Sequence, residues 1–124
     1  MRANLSAEDN IALIPLYQRH CSAADSGRQA QALLEQFGHA AIAPLRDPDL
    51  SAAQRFVVKL ARALILHRPR LIIDRPGAML YDVAYPPFIQ QLAARSDANS
   101  TWEIYDFVWN RALYPAEMTE TAHE

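Results

Sequence analysis

Apolar residues fall in short runs separated by proline, glycine and polar stretches, and their spacing changes beyond residue 69. The first run, "NIALIPLYQRH" from Asn10, follows Ser6 and Asp9, a loose capping arrangement; it predicts a short helix that Pro15 bends or interrupts. From Ser22 the chain turns polar and is expected to be flexible. "RQAQALLEQFG" then sets Ala30, Leu33, Leu34 and Phe37 on one helical stripe and stops at Gly38, a residue free to take the left-handed conformation that ends helices. Pro44 and Pro48 bracket a turn-rich linker. Ser51 can cap a long helix running to about His67, ahead of Pro69, with Phe56, Val57, Leu60, Ala61 and Leu64 as its apolar face.

Beyond Pro69 the pattern shortens. "RLIID" reads as a buried strand, because Pro69 and Pro76 leave no room for a helix. Pro86 and Pro87 can open a helix that buries Phe88, Ile89 and Leu92, and "STWEIYDFVW" reads as a second strand. Strand, helix, strand implies a right-handed parallel crossover. The fold class is therefore α/β, mostly helical with a small parallel sheet. One domain is expected over residues 1–114, divided into a helical part (1–68) and a strand–helix–strand part (69–114). Residues 115–124 are acidic and are expected to form a flexible tail.

Composition narrows the classes. With 124 residues, 51% of them apolar, the chain can bury one core. A formal charge of -2 gives no general attraction to nucleic acid, although Arg46, Arg55, Lys59, Arg62, Arg68, Arg70 and Arg75 concentrate basic charge in the middle third. Arg55, Lys59 and Arg62 stand at helical spacing and read as a solvated face before a phosphate-reading stripe. Cys21 is alone, which excludes an internal disulfide; His20 beside it points elsewhere on a helix, so the pair makes no metal site. Trp102, Tyr105, Phe107 and Trp109 read as core or interface aromatics. "MRANLSAEDN" turns acidic where a signal peptide becomes apolar, and no run approaches the roughly 20 residues of a membrane span. A cytoplasmic chain is expected, able to dock peripherally at the inner face of the cell membrane.

The stretch "LSAAQRFVVKLARALILHRPRLIIDRP", Leu50 to Pro76, resembles the ATPase domain of ABC transporters. In that family a signature "LSGGQ" opens a helix, continues through "ARAL" and leads to a Walker B strand ending "DEP". Leu50, Ser51, Gln54, Arg55, Ala61, Arg62, Ala63, Leu64, Pro69, Asp74 and Pro76 match in order and spacing. "EDNIALIPLYQRH" is similar to the segment that opens the family's helical subdomain, and "ALLEQFG" to the helix before the signature. The resemblance implies a partial P-loop NTPase-like fold. It also implies that Ser51, Ala52, Ala53, Gln54 and Asp74 are the positions that would meet a nucleotide.

The departures bear on activity. None of the three glycines lies in a GxxxxGK(S/T) phosphate loop, which in the family precedes all of this stretch, so tight ATP binding by these residues alone is not expected. The position of the catalytic glutamate holds Arg75, a cation with no acceptor that cannot serve as a base. The switch histidine is replaced in "STWEIYDF" by a segment carrying Asp106. Ala52 and Ala53 stand for the two signature glycines, and any left-handed geometry there would cost about 1 kcal/mol or more. Tyr81-Asp82 falls at the family's dimer-seam loop, where Leu80 alone matches.

In ABC dimers the signature meets nucleotide held by the opposite subunit, so the resemblance implies a non-catalytic subunit using ATP and magnesium in trans, with no catalytic residue, metal site or cofactor of its own. The implied partners are a full-length ABC ATPase, a transporter permease or a second copy of the chain. A non-enzymatic helical interaction or regulatory module derived from such an ATPase is the alternative. Without the strand that precedes the phosphate loop, Leu71 to Ile73 are expected to form an exposed apolar edge.

Overall fold

The computed structural model describes residues 1–96 and 100–114, so the acidic tail at 115–124 lies outside the described residues. Four helices and two strands follow in the order α1 (Ala7–Gln18), α2 (Ala23–Gln36), α3 (Ala52–Leu64), β1 (Arg70–Asp74), α4 (Tyr85–Arg95) and β2 (Thr101–Tyr105). Short 3-10 turns at Ala40–Ile42, Asp47–Asp49, Pro76–Ala78 and Val108–Leu113 connect or follow them. The chain is mostly helical with a small parallel sheet.

Ser6 caps α1 by accepting the Asp9 N–H at 3.1 Å. Pro15 does not interrupt this helix. It sits in the last turn, where its missing N–H removes one bond, and its own carbonyl accepts from Arg19 and Cys21, each at 3.1 Å. The polar stretch after Ser22 is helical, not flexible: Ser22 Oγ accepts the Asp25 N–H at 3.1 Å and starts α2 at Ala23. Asp25 in the first turn also favours the helix dipole. At its far end Gly38 takes φ 75°, with Gly38 N–H on the Glu35 carbonyl (3.0 Å) and His39 N–H on that of Leu34 (2.8 Å), which is a Schellman stop.

α3 is buried on more than the expected stripe, because Ala52, Ala53 and Val58 join Phe56, Val57, Leu60, Ala61 and Leu64 in the interior. It ends at Leu64, short of His67, whose φ of 56° turns the chain toward Pro69. The expected solvated basic face is only partly found. Lys59 is exposed, but Arg55 donates from Nε to Asp47 Oδ1 at 2.9 Å, and Arg62 Nε is buried without a hydrogen-bond partner among the described residues. α1 packs on α2 and α3, and Ile11, Leu34 and Val57 are fully enclosed where they meet.

β1 and β2 pair in parallel, Leu71 opposite Trp102 and Ile73 opposite Ile104. These four line the inner face against the core, beneath which α4 buries Ile89 and Leu92. The alternate residues Arg70, Ile72, Asp74, Thr101, Glu103 and Tyr105 form an outer face, where Arg70 holds Glu103 from Nε (2.6 Å) and Nη2 (2.9 Å). Strand β2 stops at Tyr105, well before Trp109, because Asp106 turns the backbone by accepting the N–H of Phe107 at 2.7 Å. Leu71 and Ile73 are buried at 9% and 5% exposure, so the expected apolar exposure of β1 falls on Ile72 alone, at 51%. Among the described residues no helix is long and apolar enough to cross a membrane.

Candidate functional site

Ser51 precedes α3 with extended backbone (φ -71°, ψ 168°), which aims its side chain back at the first turn. Its Oγ accepts the Gln54 N–H at 3.1 Å, while Gln54 Oε1 accepts the Ser51 N–H at 2.9 Å. The two side chains thus close a reciprocal capping box. Ala52 and Ala53 lie within the helix, outside the left-handed region, so their methyl groups carry no conformational penalty. Both methyls are buried, at 6% and 8% exposure.

The sequence did not indicate what faces this helix end. Asp82, from the loop after β1, accepts the Ala53 N–H through Oδ2 at 3.4 Å. A carboxylate there complements the positive end of the helix dipole and occupies the place where an external anion would sit. Beside it runs an open groove of about 170 Å³, lined by Ala52, Arg55, Phe56 and Lys59 of α3 and by Ala78, Met79 and Tyr81. Ligand-enclosing pockets usually exceed about 300 Å³. The groove is too small to enclose a nucleotide.

Ser51, Ala52, Ala53 and Gln54 are therefore together. Asp74 is apart: it is exposed at the end of β1, and among the described residues no hydrogen bond or ion pair joins it to the start of α3. No group of three His, Cys, Asp or Glu side chains converges among the described residues. Next to Asp74, Arg75 takes left-handed backbone (φ 48°), donates its N–H to the Tyr105 carbonyl at 2.7 Å, and lays its guanidinium 4.7 Å from the centre of the Phe107 ring. That side chain is committed to an aromatic face.

Among the described residues a fully bonded polar cluster centres on Asp106. Its carboxylate accepts from Tyr85 Oη (2.8 Å), Tyr114 Oη (2.7 Å), Asn110 Nδ2 (3.0 Å) and the Phe107 N–H (2.7 Å). Burial opposes the charge, but hydrogen bonds from Asn110, Tyr114, Tyr85 and Phe107 outweigh it and hold the carboxyl below its ordinary pKa. Burial and then the bond to Asp106 push the Tyr85 hydroxyl up to about 12, and the same causes raise Tyr114. These phenols stay protonated donors, which suits a structural clasp joining α4 to the segment after β2. The sequence signal for it was an acid directly after a strand, with Asn110 four residues on.

No family model matches the chain.

Proposed function

We propose that the chain is a degenerate ABC-transporter ATP-binding-subunit-like protein, with a partial P-loop NTPase-like fold, that does not hydrolyse ATP alone and contributes its α3 N-terminus to nucleotide held by a partner ATPase. The observation that carries this reading is the Leu50 to Pro76 motif run, which opens with a capped helix start beside an open groove. With the Ser51 and Gln54 N–H groups bonded within the capping box, a partner's phosphate would take the place of Asp82 at the Ala53 N–H. The parallel β1–α4–β2 unit, with Asp74 at the end of β1, supports the same descent. Arg75, held on Phe107, cannot supply a base.

One observation favours a non-enzymatic interaction module instead: the capping box accounts for Ser51 and Gln54 without any nucleotide. The variant Gln54→Glu separates the two. It preserves the box, since glutamate serves at that position, but brings a negative charge to the phosphate-facing end. An ABC ATPase recovered with the tagged chain from its host is assayed with wild-type and Gln54→Glu protein. The subunit reading expects the variant to lower the partner's ATP turnover about tenfold, the loss of one good charged contact. An unchanged rate, or magnesium-dependent turnover by the purified chain alone, overturns it.

A further inference from the structure

We infer that β1 is the contact between two copies of this chain, pairing antiparallel with itself about Ile72 to make a four-stranded sheet. The ladder to β2 is bracketed by Thr101 N–H on the Pro69 carbonyl (2.8 Å) and Arg75 N–H on the Tyr105 carbonyl (2.7 Å). In a parallel ladder alternate residues direct both backbone groups to one neighbour, so Leu71 and Ile73 serve β2. Arg70, Ile72 and Asp74 direct their N–H and C=O groups to the other edge, where no backbone partner is found among the described residues.

Of the usual protections that edge carries only its shortness and the charges of Arg70 and Asp74. It has no proline, lysine or bulge within Arg70–Asp74, and Ile72 at its middle is 51% exposed. Its sequence, Arg-Leu-Ile-Ile-Asp, is complementary to itself when reversed. A two-fold axis at Ile72 places Arg70 opposite Asp74 of the second copy, twice, and Leu71 opposite Ile73 of the second copy. This register uses the outward groups of Arg70, Ile72 and Asp74 on both chains; centring on Leu71 or Ile73 would set Ile72 opposite Arg70 or Asp74 and lose the reciprocal charge pairs. Arg70 engages Glu103 through Nε and Nη2, leaving Nη1 for a second carboxylate, and Asp74 has no ion pair among the described residues. The self-complementary charge selects a second copy over a foreign strand. The inner faces, with Leu71 and Ile73, would then become continuous across the axis.

The pairing does not depend on any role for Ser51 or Gln54, and it is tested by mass in solution. Sedimentation equilibrium of the full chain is expected to give twice the 14.0 kDa of one copy. Asp74→Arg and Arg70→Asp each set like charges opposite one another across the axis, and each is expected to weaken the dimer about tenfold or more. An equimolar mixture of the two variants restores opposite charges at both pairs and is expected to return to two-chain mass. Wild type that stays at one-chain mass at every concentration, single variants as dimeric as wild type, or a mixture that stays at one-chain mass would each overturn the proposal. Should a charge variant fail to fold, Ile72→Pro removes an outward N–H while sparing the β2 ladder. A folded Ile72→Pro chain of one-copy mass supports the pairing, and a dimeric one overturns it.

Discussion

At the start of α3 the anion position is held by the protein's own Asp82. Asp82→Asn keeps an acceptor near the Ala53 N–H and removes the charge. Inorganic phosphate is expected to bind the variant a few-fold more tightly than wild type by isothermal titration, and the helix loses about 0.5 kcal/mol or less of dipole stabilisation. Equal phosphate affinity would mean that Asp82 does not compete for the site. Two other carboxylates contribute to the pH response. Hydrogen bonds from Arg70 and Tyr105 hold the Glu103 pKa at about 2, from 4.5, and the cluster around Asp106 lowers that group as well. Both are ionised in the fold at pH values where the unfolded chain is protonated. Their stabilisation is complete above the ordinary carboxylate range and is lost as pH falls through the folded values. Thermal unfolding midpoints should fall below about pH 4.5, modestly because Glu103 is solvent-exposed, and Asp106→Asn should flatten part of that slope.

Among the elements, α3 combines the strongest sequence signal with the most burial. Ser51→Ala is expected to cost about 1 kcal/mol in chemical denaturation by opening the capping box, whereas Gln54→Glu should leave stability nearly unchanged. All six elements were legible from spacing and breakers, because helix caps, Gly38 and the prolines are local signals. The errors came where a local rule met a tertiary or positional one. Pro15 is tolerated because it lies in the last turn of α1, and the polar start of α2 is helical because Ser22 caps it. β2 ends early because of the Asp106 turn. At the candidate site, the grouping of Ser51 to Gln54 followed from sequence adjacency, while Asp82 and the donors to Asp106 arrive from distant parts of the chain and leave no periodic trace.

Over the whole molecule, stabilisation is unevenly distributed. The helical layer α1–α3 encloses Ile11, Leu34, Val57 and Ala61 completely, while the sheet is covered on one face and ends in exposed Phe107, Val108 and Trp109. Its two strands meet only after the 26 residues between Asp74 and Thr101 have been traversed. Among the helices, α1 and α2 are near neighbours in sequence, whereas α1 and α3 meet across the 33 residues between Gln18 and Ala52. Chain connectivity therefore favours early closure of the α1–α2 pair, which only residues 19–22 separate. The uneven burial of helices and sheet should appear in the native state as two levels of opening. In hydrogen–deuterium exchange, the amides of Val57, Leu60 and Ala61 are expected to exchange only through global unfolding, while those of Ile73 and Glu103 exchange through a cheaper opening that leaves the helices intact. Equal protection of both groups would mean that the sheet is released only when the whole core is.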